Sequence, residues 1–465
     1  MSNMQQFDTI IRNGTVVTAD SEFMGDIGIK DGIIQCIAQR LDASTAAHVI
    51  DASHKYVMPG GIDIHTHLDT PLNGSYTLDD WYDGTVSAAC GGVTCVVDYP
   101  KQEADHTVRD IIEKWKNKAK DKAVIDYSFS PVITQYDDSV YQEIPQLIQE
   151  GFPGYKVFMA YWHRIYDDQL IKMLDVVSSN GGILGVHCEN DWACDYLIQQ
   201  RLRVGQTEPK YFPGTRPPVC EYDAVSRAIS LAELVDGNLL IVHLSSKQAL
   251  ECAQAARNRG DHVYIETCTH FLTLDESLYD QKLEEAAKYV ITPPLRQASD
   301  RDALWKGCAS GAISLISSDH CAFPYQDKLK MGRQNFSTIP HGAPGVEARL
   351  PIAFSEGVMK GRISASKFVE LVSTNPARIA GMYPQKGTLA VGSDADITIF
   401  DPTAETVLSA TQMHSKCDFS PFEGMKIQGY PILTMSRGVV LYDHGTILAE
   451  KGHGRLVKRK PFQRF

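Results

Sequence analysis

Two histidines, His65 and His67, stand one residue apart in the run IDIHTHLD. Residues i and i+2 of an extended strand point to the same side, so both imidazoles can face one ion. Alone, this spacing is equally compatible with a structural role. Two further histidines, His187 in ILGVHCEN and His243 in LLIVHLSS, also stand near the C-terminal ends of apolar runs. A lone strand histidine is usually a satisfied core residue. Four of them at strand ends favour metal, for which neutral imidazole is the commonest ligand. Asp319, in Ser317-Ser318-Asp319-His320, ends another apolar run. It can ligate an ion and accept a proton from water, or it can simply cap a following helix. Lys156, in YKVFMAY, would be costly as a charged, unpaired group in an apolar strand. It either snorkels to the rim or is kept neutral by burial and nearby cations. A neutral lysine is nucleophilic and can take up CO2 as a carbamate, whose two oxygens can bridge two ions.

These residues need strands to hold them, and eight apolar runs supply candidates: 62–69, 94–100, 124–133, 155–161, 183–190, 239–246, 263–271 and 313–323. Several are almost continuously apolar, as parallel strands covered on both faces are. Helical patterns such as TVRDIIEKWKNKAK and EYDAVSRAISLAELV separate them. The alternation predicts an α/β chain with a (β/α)8 TIM barrel, whose active sites lie at the C-terminal ends of the strands. Both chain ends read as short alternating strands, with Asn13-Gly14 and Asp31-Gly32 as hairpin signals. Neither end is long enough for a core of its own, so the two are expected to pair in one small β-sandwich. The division expected is 1–55 and 387–455 for the sandwich, 56–386 for the catalytic barrel and 456–465 for a tail.

Composition narrows the classes. The chain has 465 residues, 43% hydrophobic and 22% charged, which excludes disorder and rods. Its net charge of −12 makes nucleic acid an unlikely-by-charge partner, since an acidic surface repels phosphate backbones. No apolar run approaches the roughly 18–20 residues that span a bilayer, and the N-terminal segment lacks the pattern of a signal peptide. The 11 cysteines include no CxxC pair and read as small buried hydrophobes in a reducing compartment. A cytoplasmic protein without a membrane partner is the expectation. The basic tail 455–465 reads as a solvated or subunit-docking element.

The set GGIDIHTHLD, GYKVFMAY, VHCEN, IVHLSS, ITPPLR and SDHCAF resembles the dihydropyrimidinase/hydantoinase group of the amidohydrolase superfamily. The resemblance covers nearly the whole chain. It implies a binuclear zinc centre, two divalent ions bridged by a carboxylated Lys156. His65, His67 and Asp319 then hold one ion, and His187 and His243 the other. It implies a substrate-binding and oxyanion-holding role for Tyr161. Thr292 stands where many relatives have a serine against the ring amide, and His341 where hydantoinases usually have asparagine. A homotetramer is implied as well.

The activity implied is hydrolytic opening of a small cyclic amide, foremost 5-substituted hydantoins such as D-phenylhydantoin, to N-carbamoyl amino acids. Dihydropyrimidinase and allantoinase are the alternatives. A non-catalytic scaffold of the same fold is remote, because all six ligand positions are filled. Dihydroorotase is disfavoured because no arginine follows His67 to pair a carboxylate. The exocyclic group is expected to meet the segments 70–76 and Tyr161-Trp162-His163-Arg164, with Leu72, Tyr76 and Trp162 offering apolar and aromatic surface.

Overall fold

The structure, a computed structural model, describes residues 6–72 and 74–465. Each of the eight apolar runs carries a strand. They are β1 (Gly61–Thr66), β2 (Val93–Asp98), β3 (Asp126–Phe129), β4 (Gly154–Phe158), β5 (Ile183–His187), β6 (Leu239–Ile241), β7 (Val263–Cys268) and β8 (Leu315–Ser317). All pair in parallel, β1, β2 and β3 in one sheet and β4 to β8 in another. Single bridges join Val132 to Lys156 and Thr66 to His320. Every residue of β2 and β7 is buried, which explains their apolar runs.

Helices cover these strands, and the one at Val108–Ala119 shows why they form. Thr107 and Asp110 make a capping box at its start. Val108, Ile111, Ile112, Trp115 and Ala119 then bury one face at helical spacing. Trp115 Nε1 donates to Asp98 Oδ2 at 2.9 Å, tying this face to the end of β2.

Strands from both chain ends join one nine-stranded sheet. The junction is antiparallel, Tyr56–Pro59 against the first residues of Ile397–Val407. Ile11, Val16, Ile27 and Val57 from one end pack with Ile397, Ile399, Leu433 and Met435 from the other. Tyr56–Pro59, placed on the barrel side of the expected boundary, is therefore a strand of this sheet. Asp31-Gly32 turns between Glu22–Lys30 and Ile33–Ala38 as expected. Asn13-Gly14 does not turn the chain. It is an irregularity within the single strand Phe7–Val17, where Asn13 has φ 60° and its N–H donates to Asp26 Oδ1 at 2.9 Å. Glycine is required beside it, since a Cβ on Gly14 would lie 2.4 Å from Val57 Cγ2.

Most cations of the basic tail are exposed, as expected of a solvated segment, but its backbone is tied to the body. Val457 N–H donates to Tyr127 O, Arg459 N–H to Gly151 O and Phe462 N–H to Gly181 O. Arg464 Nη1 pairs with Asp236 Oδ2 at 2.9 Å. The tail thus straps the N-terminal ends of successive strands, with Arg459 and Phe462 buried. Apolar side chains interleaved with its cations make this burial favourable, a pattern that charge counting alone overlooks.

Candidate active site

The C-terminal ends of the eight strands bring all six predicted ligand residues together. His65 is fully buried, and its Nε2 lies 2.7 Å from Lys156 Nζ and 3.2 Å from Asp319 Oδ1. His67 Nε2 lies 3.3 Å from the same Asp319 oxygen. His187 Nδ1 faces His243 Nε2 at 2.9 Å. Ligand atoms of His65, His243 and Asp319 all fall within 4.8 Å of one another. Asp319 and His243 hold left-handed backbone angles, φ 48° and 41°, and so does Tyr161 at 73°. Such conformations cost of order 1–3 kcal/mol each and gather where geometry serves function.

Carboxylates behind the cluster set the imidazole tautomers. His65 Nδ1 donates to Glu266 Oε1 at 2.6 Å, which leaves the Nε2 lone pair facing Lys156 and Asp319. His187 Nε2 donates to Glu189 Oε2 at 2.8 Å, leaving its Nδ1 lone pair facing His243. Arg216 Nη1 donates to the same Glu189 oxygen at 2.6 Å. This imidazole–carboxylate pattern is the one that supports metal-ligating histidines. Among the described residues, the buried His243 Nδ1, Glu189 Oε1 and Glu266 Oε2 have no hydrogen-bond partner. Four imidazoles, one carboxylate and one amine form a donor set suited to zinc-type ions.

Burial dominates the electrostatics. It holds the Lys156 amine below the usual lysine range, against the opposing pull of Asp319 and Glu266. It lowers His67 to about 4 and His243 well below the usual imidazole value. Burial would raise Asp319, but its interactions with the imidazoles of His65, His67 and His243, including a hydrogen bond with His67, outweigh it and hold the carboxyl well below the usual range.

A cavity opens over the cluster. Tyr161, Thr292 and His341 line it, and the Tyr161 and Thr292 hydroxyls hydrogen-bond each other. Tyr161 N–H donates to Asp191 Oδ1 at 2.8 Å, which holds the left-handed turn.

The expected aromatic mouth is not what the structure contains. Leu72 and His163 line the cavity, but Trp162 is 78% exposed and lies outside it. Tyr76 is exposed and its hydroxyl donates to Asp69 Oδ1 at 2.7 Å. Arg164 is drawn to Asp191 at 2.8 Å. Asn73, in the same expected mouth segment, lies outside the described residues. Polar anchors outside the cavity fix the directions of Tyr76 and Arg164, and spacing along the chain does not reveal them. The walls are instead Phe158, Val132, Ile291 and Lys101.

Sequence reasoning also missed Glu189, Glu266 and Arg216. Glu266 carried a signal, a carboxylate inside the apolar run VYIETC, which needs a donor partner if it is to be buried. Glu189, two residues after His187, carried the same parity signal as His65 and His67.

A mixed α/β fold with imidazoles, a carboxylate and an amine converging at strand ends defines a class of hydrolases. The chain belongs to the amidohydrolase family, whose sequence pattern matches residues 56–441. It is 43% identical to a D-hydantoinase from Ralstonia pickettii, over 98% of this chain and 100% of that protein. It is 39% identical to a D-phenylhydantoinase from Escherichia coli O7:K1, over 97% of this chain and 98% of that one. The solved dihydropyrimidinase from Brevibacillus agri NCHU1002 superposes with a TM-score of 0.96 at 42% identity, covering 98% of this chain and 100% of that one. Among the described residues, no helix is long and apolar enough to cross a membrane.

Proposed function

We propose that this chain hydrolyses 5-substituted hydantoins to N-carbamoyl amino acids at a binuclear metal centre. The observation that carries the reading is the convergence of His65, His67, Lys156, His187, His243 and Asp319 beneath one cavity. His65, His67 and Asp319 are assigned to one zinc ion and His187 and His243 to a second. Lys156 is assigned the bridge, as the carbamate formed when its neutral amine adds CO2 and loses a proton. The carboxylates behind His65 and His187 support this assignment.

Ions bound there supply Lewis acidity and bring water toward its hydroxide form near neutral pH. Asp319 accepts the proton of the attacking water and delivers it to the ring nitrogen as the C–N bond breaks. The Tyr161 hydroxyl donates to the carbonyl oxygen as negative charge builds on it. Thr292 and His341 hold the ring amide from the cavity wall. The products are one carboxylate and one N-carbamoyl group.

The reading extends to architecture. The parallel strands are assigned to a (β/α)8 barrel, with the bridges Val132–Lys156 and Thr66–His320 supporting closure. Residues 1–55 and 387–455 are assigned to a β-sandwich beside the barrel at 56–386, with 456–465 as its strap. A cytoplasmic homotetramer completes the proposal, its location supported by the 11 free cysteines and its assembly testable by light scattering.

The test joins metal content to turnover. Elemental analysis should give close to two divalent ions per chain, and phenylhydantoin should be opened in preference to allantoin. Dihydrouracil belongs on the panel, given the dihydropyrimidinase among the solved relatives. Lys156→Ala should lose metal and activity together, with partial rescue by acetate or propionate. Full turnover in Lys156→Ala would sink the bridge.

A further inference from the structure

Lys101 lines the active-site cavity just past the end of β2. Ring opening as derived above does not use it. Among the described residues it has no ion pair, and its ammonium makes no hydrogen bond; it lies over the Trp162 ring, 5.0 Å from the centroid. The acidic group closest to it along the chain, and the one bound to Tyr161 beside Trp162, are paired elsewhere. Glu103 pairs with Lys114 at 2.6 Å, and Asp191 with Arg164 at 2.8 Å. His163 lines the same cavity, and among the described residues its buried Nδ1 has no hydrogen-bond partner. Phe158 packs edge-on against His163 at 5.0 Å between ring centroids, and Val132 and Leu72 line the same cavity. A cation partly withdrawn from water and left without a counter-charge is unfavourable unless a ligand supplies the charge.

We propose that Lys101 and His163 form an anion subsite, and that the preferred hydantoins carry a 5-substituent ending in a carboxylate. The inference rests on the hydantoin reading above and specifies its substituent. His163 stands beside Tyr161, with ring centroids 6.1 Å apart, so an exocyclic group directed along that side of a ring held by Tyr161, Thr292 and His341 meets His163 and Lys101. The apolar side chains there accommodate the methylene stem. The ammonium and the imidazole receive the terminal oxygens, an interaction strengthened by burial. The absence of an arginine after His67 therefore does not leave an acidic substituent without a partner. The cation comes from the second strand instead of the first.

Two substrates of matched shape isolate the charge: 5-(2-carboxyethyl)hydantoin and its neutral amide, 5-(2-carbamoylethyl)hydantoin. In the wild type, kcat/KM should favour the acid by about tenfold or more, chiefly through KM, because the contact is remote from the breaking bond. Lys101→Met should collapse that ratio by about tenfold, and Lys101→Arg should keep it. Lys101→Glu should reverse it and favour 5-(3-aminopropyl)hydantoin. If the wild type opens both compounds at a ratio near one and Lys101→Met leaves the ratio unmoved, the subsite is overturned and the hydantoinase reading survives. If neither compound nor unsubstituted hydantoin is opened by metal-loaded protein, both readings are overturned.

Discussion

Glu266 Oε1 accepts a hydrogen bond from His65 Nδ1 at 2.6 Å, across 201 positions of sequence, with both side chains wholly buried. This contact turns an ambiguous strand histidine into an oriented donor, because it places the proton on Nδ1 and aims the Nε2 lone pair at the cluster. It also makes β7 a contributor to the site although β7 supplies none of the six candidate ligands.

Glu266→Gln keeps the shape and removes the charge. Metal affinity should fall about 10–100-fold, the usual cost of losing such a partner. Competition with a graded chelator measures it. Affinity equal to the wild type's would remove Glu266 from the account of the metal site.

Tyr161→Phe deletes the hydroxyl that faces Thr292. If that hydroxyl stabilises the developing oxyanion, kcat should fall by about 10²–10³-fold. Metal content should stay near two ions per chain, which elemental analysis checks beside steady-state kinetics. A rise in KM with kcat unchanged would assign Tyr161 to binding alone.

Lys328 offers a test of pH dependence away from the cluster. Its buried ammonium donates to Ala287 O at 3.1 Å and Val290 O at 2.9 Å. Burial pushes its pKa from 10.5 down to about 7. Below that value both folded and unfolded chains hold the proton, so stability does not vary with pH through this group. Between the two values the unfolded chain holds more proton, and stability rises with pH. The stability of wild type minus that of Lys328→Met should therefore climb over this window, by at most about 1.4 kcal/mol per pH unit. Urea unfolding at several pH values reads the slope, and a flat difference would remove the shift.

The strap is tested at Phe462. Phe462→Ala should destabilise the chain by about 3 kcal/mol, as loss of a buried aromatic ring does. The shift of the urea midpoint measures it. An unchanged midpoint would return the tail to the solvated or subunit-docking role that its composition suggests.

What the sequence by itself determined is the order and character of the parallel strands and the residues at their ends. Continuous apolar runs report burial on both faces, and the two-residue period of a strand reports which side chains share a side. His65, His67, Lys156, His187, His243 and Asp319 were legible for that reason, and so was the pairing of the two chain ends. Tertiary structure alone decided what each group meets. Glu266 finds His65, Arg216 finds Glu189, and the tail finds the starts of four strands, because strands far apart in the chain become neighbours. Tyr76 and Trp162 turn outward, Arg164 turns to Asp191, and Lys101 is left in the cavity wall. Those directions are set by partners across loops and strands, and side-chain direction in a loop follows no period that a linear reading could detect.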